Sequence, residues 1–92
     1  IAILPDRITL HQNYPNPFNA STTISFESAK SQIVNLSVYN LLGQKVEVLL
    51  DEKLYAGTHE VRFDAGSYPS GLYFYRLKAG EYSTTRTMVL LK

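Results

Sequence analysis

Apolar residues in this chain recur at every second position, in short runs that each break off at a glycine, a proline or a polar cluster. Val34, Leu36 and Val38 alternate with Asn35, Ser37 and Tyr39; His59, Val61 and Phe63 alternate with Glu60 and Arg62. A period of two sends successive side chains to opposite faces of a pleated strand. No segment sustains the 3.6-residue period of a helix. The chain is therefore confined to an all-β fold.

Read in order, strands are expected over residues 8–12, 21–27, 32–40, 45–50 and 58–63, then in the two arms of Ser70 to Lys92. In 45–50 the alternation sends Val46, Val48 and Leu50 inward. Turns are expected at Ser28 to Ser31, at Asn40 to Gln44 with Gly43 left-handed, and at the Gly80 hairpin. The charged stretch Asp51 to Gly57 and the glycine- and proline-bearing stretch Asp64 to Gly71 read as loops. About seven strands at this spacing predict two packed sheets with Greek-key connections, with a small barrel as the alternative. In Asn13-Tyr14-Pro15-Asn16-Pro17-Phe18-Asn19, each proline restricts itself and the residue before it. That segment is expected to be a stiff extended crossing pinned by Tyr14 and Phe18.

Composition narrows the function. At 92 residues, 45% of them hydrophobic, the chain can bury one core. Nine basic residues against eight acidic ones give a net charge of +1, too small a field to gather nucleic acid or an anionic membrane. With no cysteine, thiolate chemistry and thiolate zinc sites are excluded. His11 and His59 stand far apart and begin no metal-ligand pair, and Asp6, Asp51 and Glu52 lack the spacing of a calcium loop. No serine lies in a G-x-S-x-G elbow, and the glycines are spread among the turns rather than clustered for phosphate. Glu27, Glu47, Glu60 and Asp64 all fall on strands. The chain is read as no enzyme, with no cofactor, metal or small-molecule substrate. Seven tyrosines could form a carbohydrate platform, but Tyr73 and Tyr75 at period two read first as core. Ile1 in place of methionine predicts a piece of a longer protein, with residues 1–7 ending a linker and 8–92 forming the domain.

An ordered set of motifs carries a resemblance. Residues 13–19 followed by Ser21-Thr22-Thr23-Ile24-Ser25-Phe26, then Val38 to Val46, Ala56 to Val61, Ser70 to Leu77 and Thr84 to Lys92, resemble the C-terminal sorting domains of type IX secretion. Ala20 stands where that family usually has proline, and Arg86 where lysine is common. The resemblance implies a seven-stranded immunoglobulin-like sandwich at the C-terminus of a larger exported cargo protein. It implies an outer-membrane translocon and a sortase-like protease as partners, and a secreted or cell-surface location after periplasmic transit. Pro15, Asn16, Pro17, Phe18, Gly43 and Gly57 are then expected to shape the fold. The terminal hairpin and its edge are expected to be read, by strand addition, at Gly71, Tyr73, Met88, Val89, Leu90, Leu91 and Lys92. A sugar-binding module and a passive stabilising domain of a secreted enzyme are the alternatives.

Overall fold

The computed structural model describes residues 8–92, so the expected linker end at 1–7 lies outside the described residues. The strands are β1 (Ile8–Leu10), β2 (Ser21–Ser28), β3 (Gln32–Tyr39), β4 (Lys45–Leu54), β5 (Gly57–Asp64), β6 (Gly71–Ala79) and β7 (Tyr82–Leu90). One sheet has the order β1-β2-β5 and the other β4-β3-β6-β7, and every neighbouring pair is antiparallel. The chain changes sheet between β2 and β3, between β4 and β5, and again between β5 and β6. This is a seven-stranded sandwich, as the alternation predicts.

The core lies between the inward faces. Ile8, Leu10, Ile24, Phe26 and Phe63 come from one sheet, and Val34, Leu36, Val38, Tyr73, Tyr75, Leu77, Met88 and Leu90 from the other. Each set follows the period-two pattern of its strand. Antiparallel register then aligns the sets: Val34 faces Ala79, Leu36 faces Leu77 and Val38 faces Tyr75 across β3 and β6. Residues directly opposite share a face, so a buried position on one strand places its partner in the core too.

β4 departs from the expected pattern twice. It runs on through Asp51, Glu52 and Lys53 to Leu54, where a charged loop was expected. These residues stay paired to β3 while their side chains reach solvent, as suits charges on an edge strand. The register also shifts: Leu36 faces Leu50 but Ser37 faces Val48, and Val38 faces Glu47 but Tyr39 faces Lys45. Leu49 and Val46 are thus extra residues, and each bulge reverses the alternation. Val48, expected inside, is 48% exposed, whereas Leu49 joins Val46, Leu50 and Leu54 against the core.

Turn chemistry follows the sequence more closely. Between β3 and β4 the Asn40 side-chain oxygen accepts from the backbone N–H groups of Leu42 and Gln44, each at 3.0 Å. Gly43 completes that turn at φ +83°, in a region that residues with a Cβ rarely enter. Gly80, at φ +60°, does the same for the two-residue link between Ala79 and Tyr82. Gly57 opens β5, exposed.

Candidate recognition surface

A sandwich leaves two open sides, and loop segments clasp both. On one side Tyr68, from the loop between β5 and β6, donates its hydroxyl to Glu47 Oε1 at 2.6 Å on edge strand β4. The hydrogen bond to Glu47 holds the phenol neutral, pushing its pKa up to about 12. Tyr68 also stacks on Phe63, with ring centroids 5.8 Å apart.

The other side is closed by residues 11–18. After β1 the chain keeps pairing with β2: His11 N–H donates to Ser25 O at 3.0 Å, and Tyr14 exchanges two backbone bonds with Thr23. It then turns through the Tyr14–Pro15 and Asn16–Pro17 peptide bonds, both cis, and crosses to β7. There Phe18 N–H donates to Val89 O at 2.9 Å, Leu91 N–H donates to Phe18 O at 2.8 Å, and Val89 N–H donates to Asn16 Oδ1 at 3.0 Å. Gln12 Nε2 adds a bond to Thr87 O at 2.7 Å. The expected extended crossing is in fact a strap that pairs in parallel with the end of β7. Phe18 pins it, buried at 2% exposure, but Tyr14 does not, being 81% exposed. A polar anchor stands in its place, the buried Asn13, whose side-chain NH2 donates to Thr22 Oγ1 at 3.0 Å and Pro15 O at 3.1 Å.

The expected recognition residues divide by this geometry. Tyr73, Met88 and Leu90 are buried, so their side chains hold the core and are not presented. Val89 is half-buried, while Gly71, Leu91 and Lys92 are exposed. Lys92 is tied back to the loop before β6, its N–H to Ser70 Oγ at 3.1 Å and its Nζ to Gly66 O at 2.7 Å. The edge expected to accept a further strand is already taken over Thr87, Val89 and Leu91, because the strap occupies those backbone groups. The side chains of Leu91 and Lys92, and of Leu72 across from Val89, are exposed.

Tyr75, expected in the core, and Arg86 also tie the strap and β1 to the four-stranded sheet through hydrogen bonds that the sequence did not reveal. Tyr75, fully buried on β6, accepts from Asn13 N–H at 2.8 Å and donates to His11 O at 2.8 Å. Burial raises its pKa, against the opposing effects of the Asn13 bond and of Arg86. Arg86 Nε donates to Leu10 O at 2.8 Å, joining β7 to β1. Among the described residues no group of histidine, aspartate and glutamate could hold a metal ion, and no helix is long and apolar enough to cross a membrane. The exposed tyrosines do not line up: Tyr14 lies on the strap, Tyr55 follows β4, and Tyr82 starts β7, with β3 and β6 between those two strands.

Comparison with known proteins places this arrangement. The profile of the family described as "Secretion system C-terminal sorting domain" matches residues 12–91, from the strap to the end of the terminal hairpin. The chain belongs to this family. It is a type IX secretion sorting domain, a class that is in general non-catalytic and that directs an attached cargo across the outer membrane through the type IX machinery. No curated protein matches it. Among solved structures, the sorting domain is similar to part of PorZ, an essential bacterial surface component of the type IX secretion system of Porphyromonas gingivalis. The TM-score is 0.63 at 17% identity, with 90% of this chain covered. The chain spans 11% of the PorZ chain, and at that identity the likeness speaks to the fold alone.

Proposed function

We infer that residues 8–92 form the address that an outer-membrane translocon reads on a cargo joined to their N-terminal side. A sortase-like protease then separates the two, and the cargo is released or attached to the cell surface. The observation that carries this reading is the continuous family match over residues 12–91. It takes in the strap and the terminal hairpin, which are joined to each other by backbone bonds. The machinery reads the folded domain through side chains at its C-terminal end: Leu91 and Lys92 with the neighbouring Leu72 and Val89. Gly71 contributes an open approach, and Tyr73, Met88 and Leu90 keep the surface in place from within.

The division between buried and exposed residues determines how this is tested. Removing Val89 to Lys92 would take away the buried Leu90 and the strap's partners, so loss of export could merely report unfolding. Replacing Leu72→Ser, Leu91→Ser and Lys92→Glu together changes only exposed side chains. Such a change costs roughly 0.5 kcal/mol or less per site in stability. The expected result is a cargo held in the periplasm while the isolated domain keeps its circular dichroism and unfolding midpoint. Undiminished export of the triple variant would refute recognition through this end.

A further inference from the structure

The outward face of the four-stranded sheet carries a cation cluster for which the described residues supply no ion-pair partner. Arg76 on β6 lies with its guanidinium carbon 5.1 Å from the Tyr39 ring centroid, and Lys45 on β4 brings its Nζ to 5.9 Å from the same ring. Arg76 Nη2 donates to the Tyr39 hydroxyl at 2.9 Å. Its Nε–H is buried and has no hydrogen-bond partner, the single such side-chain atom among the described residues. The sole ion pair among those residues is His11–Glu27, so no described carboxylate lies within ion-pair reach of Arg76 or Lys45.

Buried donors in folded proteins are nearly always satisfied, and an orphan on a charged group calls for an explanation. Beside this guanidinium there is room for a counter-ion. Arg76, Tyr39, Phe74, Thr85 and Gly43 line an open depression of about 260 Å³. Gly43 has no side chain to fill it, and nothing lies within 4 Å of where its Cβ would be. A guanidinium offers planar paired donors that match a carboxylate, and both cations over the tyrosine face would be relieved by one negative charge. The rim is apolar: Leu42, next to Gly43, is 83% exposed, and Leu41 and Leu72 are exposed too. Phosphate would gain the charge but leave that rim in water.

We propose that this depression is a docking site for an aspartate or glutamate side chain, flanked by apolar residues, on a loop of a partner protein. The carboxylate takes the terminal Nη1–H and Nη2–H donors of Arg76, Lys45 closes over it, and the flanking residues cover Leu41, Leu42 and Leu72. The site rests on side-chain geometry alone and would stand even if the chain end were not what the export machinery reads.

Binding by the whole 92-residue chain tests it, with the Arg76 Nε–H and the Gly43 and Thr85 amides followed by nuclear magnetic resonance. The probes are acetyl-Leu-Asp-Leu-amide, its Asn counterpart and sodium acetate, at matched ionic strength. The aspartyl peptide is expected to shift these three resonances, half-saturating at roughly one-tenth the concentration the asparaginyl peptide requires, the ratio one charge-assisted bond gives. Acetate is expected to shift the same resonances more weakly. Arg76→Lys, which keeps charge but loses the fork, should abolish the discrimination. Lys45→Gln, at an exposed position that leaves the core untouched, should weaken it severalfold. Equal response to the two peptides, shifts that bypass these resonances, or unchanged discrimination in both variants would overturn the proposal. Acetate binding as tightly as the aspartyl peptide would overturn the protein-loop assignment.

Discussion

Phe18→Ala is expected to destabilise the domain by about 3–5 kcal/mol, read from urea denaturation followed by circular dichroism. The ring is almost wholly buried and meets Phe63 edge-on, with centroids 6.1 Å apart and planes at 61°. Truncating it leaves a cavity between the sheets and removes what holds the strap against β7. A domain of this size has roughly 5–14 kcal/mol of stability in total, so the loss is a large share of it. The strap's role gives the prediction a second signature. Amide exchange at Leu91 and Val89, whose N–H groups bond to Phe18 O and Asn16 Oδ1, should accelerate more than exchange on β3. A cost below about 1 kcal/mol would mean that Phe18 is not the anchor.

Tyr75→Phe removes one oxygen and is expected to cost about 1–3 kcal/mol in the same assay. The hydroxyl is the hydrogen-bond partner of both Asn13 N–H and His11 O, and its site is fully buried. Phenylalanine keeps the packing but leaves the buried Asn13 N–H unpaired, and an orphaned donor costs its desolvation. Tyr73→Phe is the internal control. Its hydroxyl donates only to the carbonyl of the exposed Pro69, at 2.6 Å, and water can replace that bond. The control should lose about 1 kcal/mol or less. Equal losses in the two variants would contradict the clasp.

These two effects show where the sequence was sufficient and where it was not. The alternation identified the inward faces of β2, β3, β5 and β6, and Gly43 and Gly80 marked their turns, because pleat and turn chemistry are local. β4 defeated the same logic. Asp51, Glu52 and Lys53 look like a loop, but an edge strand tolerates charges on solvent-facing positions, and two bulges shift which residues face in. The prolines mark the strap as a stiff element, yet its contact with β7 joins residues far apart in the chain, and no local pattern encodes that pairing. Tyr14 and Phe18 are both aromatic and both beside proline, and composition alone did not say which would be buried.

The terminal residues were more legible than the grouping of Met88 to Lys92 allowed. With Tyr73, Tyr75 and Leu77 inward, the two-residue Gly80 hairpin places Met88 opposite Tyr73 and Leu90 opposite Gly71. Met88 and Leu90 are therefore core, and Val89 and Leu91 point the other way. The Arg76 site had no comparable signal, because Tyr39, Lys45 and Arg76 are brought together only by the order β4-β3-β6 of the folded sheet. Ala20, between the strap and β2, adopts φ +73°, a conformation that proline cannot reach.

The central claim is that this folded domain is sufficient as an export address. Its most direct measurement is fractionation of a Sec-exported reporter carrying residues 1–92 at its C-terminus, in a bacterium that possesses a type IX system and in a strain lacking the translocon. The account predicts reporter on the cell surface or in the medium in the first strain and in the periplasm of the second. Reporter retained in the periplasm of both, or reaching the outside equally well without the translocon, would contradict it.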